Sequence, residues 1–261
     1  MRLPLYQVDA FTAHRFGGNP AAVVPLEHWP EDELLRAIAA ENNLSETAYL
    51  VPRGGDFELR WFTPTLEIDL CGHATLAAAA VLFARLEPGR TSVRFHTRKA
   101  GELGVRAEDG WLELDFPARP PRAAAAPAGL LEALGGTPVA VLASTRDWLV
   151  RYASEREVAA LAPRMEPLRA LGPVGVIVTA PGETCDFVSR FFAPGAGVDE
   201  DPVTGSAHCV LTPYWAHELA KSTLDARQIS RRLGVLRCSA RGERVGIAGQ
   251  VAFYLEGTIE V

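Results

Sequence analysis

Two segments of this sequence place glycine and a polar residue directly before an apolar, helix-like run. The first is Leu70-Cys71-Gly72-His73, and the second is Pro202-Val203-Thr204-Gly205-Ser206. The start of a helix offers unpaired backbone N–H groups and a partial positive charge, and glycine there lets a ligand approach the backbone closely. Two such starts that face each other across a cleft predict a cradle for a small carboxylate. The alternative is that both glycines serve only the tight packing of helix against strand.

Glu46 is the first candidate for acid–base chemistry. It precedes the apolar strand that begins at Thr47, whereas the corresponding strand of the second half, residues 174–181, has glycine and apolar residues at that place. Removal of water would raise the pKa of the carboxyl, so that it could take up and return a proton near pH 7. The simpler interpretation is a charged residue in water at a helix–strand junction.

Asp201 and Asn19 are two further candidates. Asp201 ends the acidic run Asp199-Glu200-Asp201, and the proline that follows fixes its backbone direction. The same run could instead compensate the charge of the helix start. Asn19 lies in Gly17-Gly18-Asn19-Pro20, which has the composition of a turn. A plain loop is one interpretation, and a hydrogen bond from Asn19 to a polar group of a substrate is the other.

The elements that must position these residues occur twice in the chain. When the sequence is slid by 130 positions, six of the fourteen residues from 56 to 69 meet an identical residue, where chance would give about one. With three extra residues in the second half, Gly72-His73-Ala74 aligns with Gly205-Ser206-Ala207. We therefore expect two homologous halves related by a pseudo-twofold axis.

Both halves follow the same coarse order of elements. Strands and an amphipathic helix precede a helix that is apolar on nearly all sides, Ala74–Leu86 in the first half and Ser206–Leu219 in the second, which is typical of full burial. The prediction is an α/β (α+β) fold of two pseudo-symmetric halves, each a curled, mostly antiparallel sheet or barrel around a central buried helix. We place the halves at residues 1–118 and 119–261, with a Pro/Ala-rich linker at about 117–128. The C-terminal strand can return to the first half.

Composition and charge exclude several classes of function. Hydrophobic residues make up 48% of the 261 residues and charged residues 22%, which suffices for a buried core. The net charge of −6 argues against a nucleic-acid partner, and no apolar run is long enough to span a membrane. The first residues lack the profile of a signal peptide, so we expect a cytoplasmic protein. The four cysteines are far apart, so we expect no metal site and no disulfide framework, and no dinucleotide or phosphate-loop motif occurs.

Five motifs follow one another in the order of a known family. They are QVDAFT (7–12), GNPAAVV (18–24), NLSETAYL (43–50), EIDLCGHATLA (67–77) and DEDPVTGSAH (199–208). Over nearly its full length the chain resembles the phenazine-biosynthesis PhzF-like family, which is related in fold to diaminopimelate epimerase. The resemblance implies a homodimeric isomerase that needs no cofactor and acts on a small carboxylate such as trans-2,3-dihydro-3-hydroxyanthranilate.

The resemblance also implies a role for each candidate residue. Glu46 in NLSETAYL would transfer the proton between carbons of the substrate. Three residues would support it, namely His73 in CGHAT, and Asp201 and Ser206 in DEDPVTGS. Three others would contact the substrate, namely Asn19, Gly72 and Gly205.

Two other functions stay open at this point. The epimerase and racemase relatives use two cysteines, one in each half, as paired acid and base. Cys71 lies at the first of these positions, but the aligned residue in the second half is Thr204, and the nearby Cys209 falls inside the helix. One-base chemistry by Glu46 therefore fits better than chemistry by two thiols. The alternatives are a cysteine-dependent amino-acid racemase or epimerase and a non-catalytic small-molecule-binding protein of the same fold.

Overall fold

The chain forms two compact units. The structure is a computed structural model that describes the residues from Met1 to Val261. The first unit comprises Met1–Phe116 and Ile247–Val261, and the second comprises Pro117–Gly246. None of the helices combines the length and the apolar character needed to cross a membrane.

The elements are numbered along the chain. Those of the first unit are β1 (Arg2–Ala10), β2 (Asn19–Pro25), α1 (Asp32–Asn42), β3 (Glu46–Arg53), β4 (Asp56–Phe62), β5 (Glu67–Ile68), α2 (Gly72–Val81) with a π-helical turn (Leu82–Leu86), β6 (Ser92–His96), β7 (Glu102–Glu108) and β8 (Trp111–Pro117). Those that follow are β9 (Arg122–Ala123), α3 (Leu130–Leu134), β10 (Ala140–Ala143), β11 (Asp147–Arg151), α4 (Glu155–Ala160), α5 (Met165–Arg169), β12 (Gly175–Pro181), β13 (Phe187–Ala193), β14 (Val198–Asp201), α6 (Gly205–Leu219), β15 (Thr223–Gln228), β16 (Gly234–Arg241) and β17 (Arg244–Gly249). The last strand, β18 (Val251–Glu260), pairs with β1 in the first unit.

The two units repeat one strand topology. In the first, β1–β2 is antiparallel, β2–β3 parallel, β3–β4 antiparallel, β4–β6 parallel and β6–β7 antiparallel. In the second, the pairs β10–β11, β11–β12, β12–β13, β13–β15 and β15–β16 have the same orientations in the same order. The internal repeat predicted from the sequence is thus a repeat of structure, in a mixed α/β fold dominated by its strands.

Each unit contains one long apolar helix. All residues of α2 are buried, because its alanine-rich sequence offers no polar face to water. It packs against β1, β2, β3 and β18. The helix α6 is apolar over most of its surface too, and it packs against β15 and β16. The prediction that each half consists of a sheet around a buried helix is confirmed.

A buried arginine with a carboxylate partner recurs in both units. Arg60 donates from Nε and Nη2 to the two oxygens of Glu67, at 2.7 and 2.8 Å. Arg190 donates in the same bidentate way to Glu200, at 2.7 and 2.9 Å. Each guanidinium also lies 5.0 Å from the ring of the phenylalanine two residues further on, Phe62 or Phe192. The arginine and phenylalanine identities found by sliding the sequence therefore correspond to similar local structures, although Arg60 also binds Asp32 and Arg190 also binds the carbonyls of Val158 and Leu161.

The turn predicted at Gly17-Gly18-Asn19-Pro20 does not include Asn19 and Pro20, and this part of the prediction is wrong. Asn19 is the first residue of β2 and pairs with Ala10 at the end of β1. The chain reverses earlier, where Phe16 and Gly18 have positive φ. A Cβ at Gly18 would overlap the carbonyl oxygen of Ala10, so this position requires glycine. The composition of the segment indicated a turn but not the residue at which strand pairing resumes.

Several shorter elements also differ from the prediction. The buried helix begins at Gly72, and its end, Leu82–Leu86, is π-helical. Several elements were not predicted from the sequence, namely the strands β2, β5, β9, β11 and β16 and the helices α3 and α5. The acids 199–201 belong to the strand β14 rather than to the turn before the helix. The conformation of such segments depends on pairing with distant strands. Local sequence patterns therefore predict them poorly.

Candidate active site

Glu46 is the first residue of β3. Its neighbour in the parallel β2–β3 pair is Ala21, and α2 packs against both strands. Only 13% of its side chain is exposed. Because β3 is otherwise apolar and buried up to Val51, the carboxylate is the charged end of a buried strand, as the sequence predicted.

The carboxylate of Glu46 faces the imidazole of His73, the second residue of α2. Oε2 of Glu46 lies 3.0 Å from Nε2 of His73. The contact is an ion pair without the alignment of a hydrogen bond, and both atoms are buried with no other hydrogen-bond partner. Burial disfavours the charged form of His73, but the contact with the Cys71 sulfur and the negative charge of Glu46 favour it more strongly, so that the pKa of His73 lies well above its ordinary value.

The other ring nitrogen of His73 has two further neighbours. Nδ1 lies 3.2 Å from Nδ2 of Asn19 and 3.5 Å from Sγ of Cys71. The Oδ1 of Asn19 in turn accepts a hydrogen bond of 3.4 Å from Oγ of Ser45. The start of α2 therefore gathers side chains from β2, from β3 and from the residue before β3 into one buried cluster.

Cys71 takes part in this cluster as a neutral thiol. It is the N-cap of α2 and is only 6% exposed. Burial and the nearby Glu46 carboxylate raise the pKa of its thiol to about 11. A thiol that stays protonated at neutral pH is a poor base.

The same cluster offers the atom types that a metal ion would need. The ligand atoms of Glu46, Cys71 and His73 lie within 4.8 Å of one another. His73, however, turns Nδ1 toward Cys71 and Nε2 toward Glu46. Because one imidazole gives one nitrogen to a given ion, a metal here could keep only one of these two ring contacts.

The backbone at the start of α2 is suited to an anion. Its first turn contains no acidic residue, and Gly72, His73 and Ala74 are buried. The N–H groups of the first turn have no partner within the helix and carry a partial positive charge. The start of α6 shares this feature, since its first turn, which contains Gly205 and Ser206, also lacks an acid.

In the second unit, Asp201 and the start of α6 lie together. Oδ2 of Asp201 accepts a hydrogen bond of 2.5 Å from Oγ1 of Thr204, the N-cap of α6. The buried side chain of Gln228 binds this segment from β15. Its Oε1 accepts from the Thr204 N–H at 2.8 Å, and its Nε2 donates to the Asp201 carbonyl at 2.8 Å. The segment before α6 is thus held at both ends.

The structure brings the predicted residues together in two groups. Glu46, His73 and Asn19 form the cluster of the first unit, at the start of α2. Asp201, Gly205 and Ser206 lie at the start of α6 in the second. Cys71 and Thr204 are the N-caps of the two helices, which confirms the alignment of Gly72 with Gly205 and of His73 with Ser206.

Two residues of these groups were not found from the sequence. Gln228 lies 24 residues after Thr204, on another strand, and nothing in its local sequence marks it. Ser45 belongs to the motif NLSETAYL, but its bond to Asn19 spans 26 residues. In both cases the signal would have been a long-range pairing, which one sequence does not contain.

Comparison with known proteins gives one consistent result. A sequence profile described as phenazine biosynthesis-like protein (PhzC-PhzF) matches residues 8–257. An uncharacterized isomerase of Pseudomonas aeruginosa is 54% identical over 261 residues and covers 100% of both chains. The crystal structure of a PhzF-family phenazine biosynthesis protein from Enterococcus faecalis has a TM-score of 0.96 at 42% identity, with 100% of both chains covered.

A more distant structure shares the fold. A protein from Pseudomonas aeruginosa described as a predicted epimerase has a TM-score of 0.76 at 21% identity, over 99% of both chains. This likeness extends the shared architecture to an epimerase-like fold, as expected from the sequence.

Proposed function

The chain belongs to the phenazine biosynthesis-like family, and on this premise we propose that it is an isomerase that moves a proton between two carbons of a small carboxylate-bearing substrate. One carboxyl group, that of Glu46, would both remove and return the proton. The relatives that bear the name isomerase support the reaction class. The buried position of Glu46 supports the choice of residue.

The observation that carries this proposal is the pair of Glu46 and His73. Oε2 of Glu46 is buried, lies 3.0 Å from Nε2 of His73 and has no hydrogen-bond partner. The positive charge of His73 stabilises the Glu46 carboxylate as an anion away from water. An ionised carboxylate in this position can accept a C–H proton from a bound substrate.

The proposed reaction balances without an added reagent. The Glu46 carboxylate takes a proton from an acidic C–H, and the electron pair of that bond spreads into the conjugated system of the substrate. The same proton then passes from the Glu46 carboxyl to a second carbon, which restores the carboxylate. His73, whose pKa is raised by Cys71 and Glu46 against the effect of burial, would keep a positive charge beside the carboxylate between turnovers.

The helix starts would bind the substrate carboxylate. Backbone N–H groups at Gly72 are the proposed donors in the first unit, because Gly72 opens a helix whose first turn lacks an acid. Gly205, which opens α6 in the same way, stays a predicted substrate contact. Ser206 would stabilise charge that develops on the conjugated system, and Asp201 would orient an amino or hydroxyl group. Asn19 would contact the substrate as well. A homodimer without a cofactor stays a prediction.

The cysteine-dependent alternative has less support. A two-thiol racemase needs a cysteine at the N-cap of each buried helix, and these positions hold Cys71 and Thr204. The single thiol is neutral, since burial and the neighbouring Glu46 raise its pKa to about 11. One-base chemistry by Glu46 is therefore the better assignment.

The test is hydrogen exchange on carbon, followed by NMR in D2O. The probes are trans-2,3-dihydro-3-hydroxyanthranilate and a panel of small unsaturated carboxylic acids. We expect deuterium uptake or an isomerised product from at least one of them. The Glu46→Gln variant should lose about 10²–10⁴-fold in rate and keep its affinity for the acid, whereas Glu41→Gln, at an exposed residue of α1, should match the wild type.

Two outcomes would contradict the proposal. Undiminished turnover by Glu46→Gln would remove Glu46 as the base. Binding of acids across the panel with neither exchange nor isomerisation would favour the non-catalytic binding protein instead.

A further inference from the structure

The side-chain amide of Gln228 has one possible orientation. The backbone N–H of Thr204 can only donate, so the Gln228 atom 2.8 Å from that nitrogen is Oε1. Nε2 then lies 2.8 Å from the carbonyl oxygen of Asp201 and 3.1 Å from Oγ1 of Thr204. Gln228 is fully buried, and each of its two N–H bonds has an acceptor. The amide is thus a fixed donor toward Asp201 and Thr204.

This orientation fixes the direction of the Thr204 hydroxyl. Oγ1 accepts from Nε2 of Gln228, and its own proton points to Oδ2 of Asp201, 2.5 Å away. A hydroxyl at this separation from a carboxylate is a short, charge-assisted donor. The chain of bonds therefore runs one way, from Gln228 through Thr204 to Asp201, and Oδ2 is an acceptor. Other contacts of Asp201 do not change this direction.

The main chain of Asp201 is held by the same strand and the residues just after it. Its carbonyl accepts from Gln228 in β15, and the carbonyl of Pro202 accepts from Oγ of Ser230 at 2.7 Å. The proline also restricts the backbone of the residue before it. β15 in turn pairs with β13, where Gln228 lies opposite Ser189. The backbone of Asp201 is thus tied to the sheet, as its carboxyl is through the chain of bonds.

The first unit does not repeat this chain at the matching position. The internal repeat matches Phe57 with Phe187, and the register of the neighbouring strands then matches Thr97 with Gln228. The hydroxyl of Thr97 donates to the carbonyl of Gly101 at 2.9 Å and not to the start of α2. The apolar helix α2 begins without such a chain, so the burial of a helix of this kind does not itself require one.

We propose that Thr204 and Gln228 are positioning residues for the Asp201 carboxylate. They hold it in one orientation, with Oδ2 engaged as an acceptor, so that Asp201 receives a hydrogen-bond donor of the substrate, an ammonium or hydroxyl group. Thr204 is the N-cap of α6, where a two-thiol racemase needs its second cysteine. In this chain that position orients an acid instead of moving a proton. The role rests on the proposed function, in which Asp201 orients a polar group of the substrate.

The first measurement needs no substrate and tests the chain of bonds itself. NMR of protein with ¹³C-labelled threonine and a ¹⁵N-labelled backbone follows the hydroxyl and amide protons of Thr204, and Thr204→Val assigns the hydroxyl signal by removing it. We expect the hydroxyl proton at low field, because its bond is short and charge-assisted, and at higher field in Asp201→Asn. In Gln228→Leu the Thr204 amide loses its acceptor and should exchange with solvent faster, while amides elsewhere in β15 keep their rates.

The second measurement is turnover of trans-2,3-dihydro-3-hydroxyanthranilate and the panel of acids. Thr204→Val should lower kcat/KM by about 10–100-fold, because the acid that meets the substrate is no longer held in place. Thr204→Ser keeps the hydroxyl and should restore most of the rate. In an Asp201→Ala background Thr204→Val should have little further effect, since Thr204 acts through Asp201. A residue needed only for folding would cause the same loss in both backgrounds.

Thr212→Val is the matched control for the loss of a buried hydroxyl. Thr212 is fully buried in the same helix, about two turns beyond Thr204. Its replacement should leave the Thr204 signals and kcat/KM at their wild-type values. Circular dichroism checks the fold of every variant. If Gln228→Leu does not fold, Thr204→Val and Asp201→Asn carry the test.

Three results would overturn the roles of Thr204 and Gln228. These are a Thr204 hydroxyl signal that Asp201→Asn leaves in place, wild-type kcat/KM in Thr204→Val, or equal losses for Thr204→Val with and without the Asp201 carboxyl. Failure of the proposed function has a different signature, namely no turnover by the wild type while the NMR signals behave as expected. In that case the affinity for the same acids replaces kcat/KM in the comparison of the variants.

Discussion

Sγ of Cys71 lies 3.5 Å from Nδ1 of His73, the ring nitrogen that does not face Glu46. The thiol therefore contacts His73 through one ring nitrogen, while Glu46 contacts it through the other. The contact between Glu46 and His73 does not pass through the thiol.

The first prediction concerns the replacement of this thiol. In Cys71→Ala we expect kcat/KM to fall by less than about tenfold, a change in barrier below about 1.4 kcal/mol, because Glu46 and Nε2 of His73 keep their contact. Steady-state kinetics of this variant beside Glu46→Gln would measure the difference. A loss in Cys71→Ala as large as that in Glu46→Gln would restore the cysteine-dependent mechanism.

A second prediction concerns stability in mild acid. His208 in α6 is buried, its Nδ1 lies 2.9 Å from the carbonyl of Thr204, and burial lowers its pKa to about 4. Between its ordinary pKa of 6.5 and about 4 the unfolded chain binds one more proton than the folded chain. The contribution of neutral His208 to the free energy of unfolding is thus fully present above pH 6.5. It is lost as the pH falls toward 4, by up to about 1.4 kcal/mol per pH unit.

The measurement is urea unfolding at a series of pH values. His208→Gln should show a shallower decline than the wild type between pH 6.5 and 4. His217→Gln, at a side chain that is 88% exposed, is the control and should follow the wild type. Equal slopes for all three proteins would show that folding does not lower the pKa of His208.

A third prediction rests on the difference between the repeats. Thr47 pairs with Phe62 and Val176 with Phe192, so Glu46 corresponds to Gly175 in the second unit. A Cβ on Gly175 would overlap the carboxyl of Asp147 and the ring of Phe191. Gly175→Ala should therefore cost about 1–3 kcal/mol. The second unit has no room for an acidic side chain at Gly175. Glu46 therefore has no equivalent acid in the second unit.

Gly104 provides the matched control for that substitution. It also lies in a strand, β7, and an added Cβ would meet no atom within 4 Å. Gly104→Ala should be neutral or slightly stabilising. Thermal unfolding measures the melting temperatures of Gly175→Ala and Gly104→Ala. Equal values would mean that Asp147 and Phe191 move at little cost to make room for the added Cβ.

A fourth prediction uses the repeated arginine pairs. Glu67→Gln and Glu200→Gln should each cost about 1.5–3 kcal/mol, since each weakens charge-assisted bonds to an arginine whose side chain is mostly buried, 3% exposed for Arg60 and 13% for Arg190. Glu260→Gln, whose partner Arg2 is 75% exposed, should cost less than about 1 kcal/mol. Denaturant titration measures all three. A large difference between Glu67→Gln and Glu200→Gln would show that the two pairs are not energetically equivalent.

Much of the architecture could be predicted because it depends on the types and spacing of residues that are close in the sequence. The apolar character of α2 and α6, the glycine at the start of each and the repeated Arg-x-Phe segments are properties of neighbouring residues. Burial and helix formation respond directly to such patterns. The doubled fold, the two helix starts and the acid at the end of an apolar strand were therefore accessible from the sequence.

The tertiary structure alone decided which atoms meet. That Nε2 of His73 faces Glu46 while Nδ1 faces Asn19 depends on the register of β2 against β3 and on the packing of α2 across both. The same holds for Gln228, which fastens the segment before α6 from a distant strand. Strand register and side-chain rotamers arise from packing over the whole unit. The sequence by itself thus determined the kinds of residue at the site, and the packed structure determined their partners.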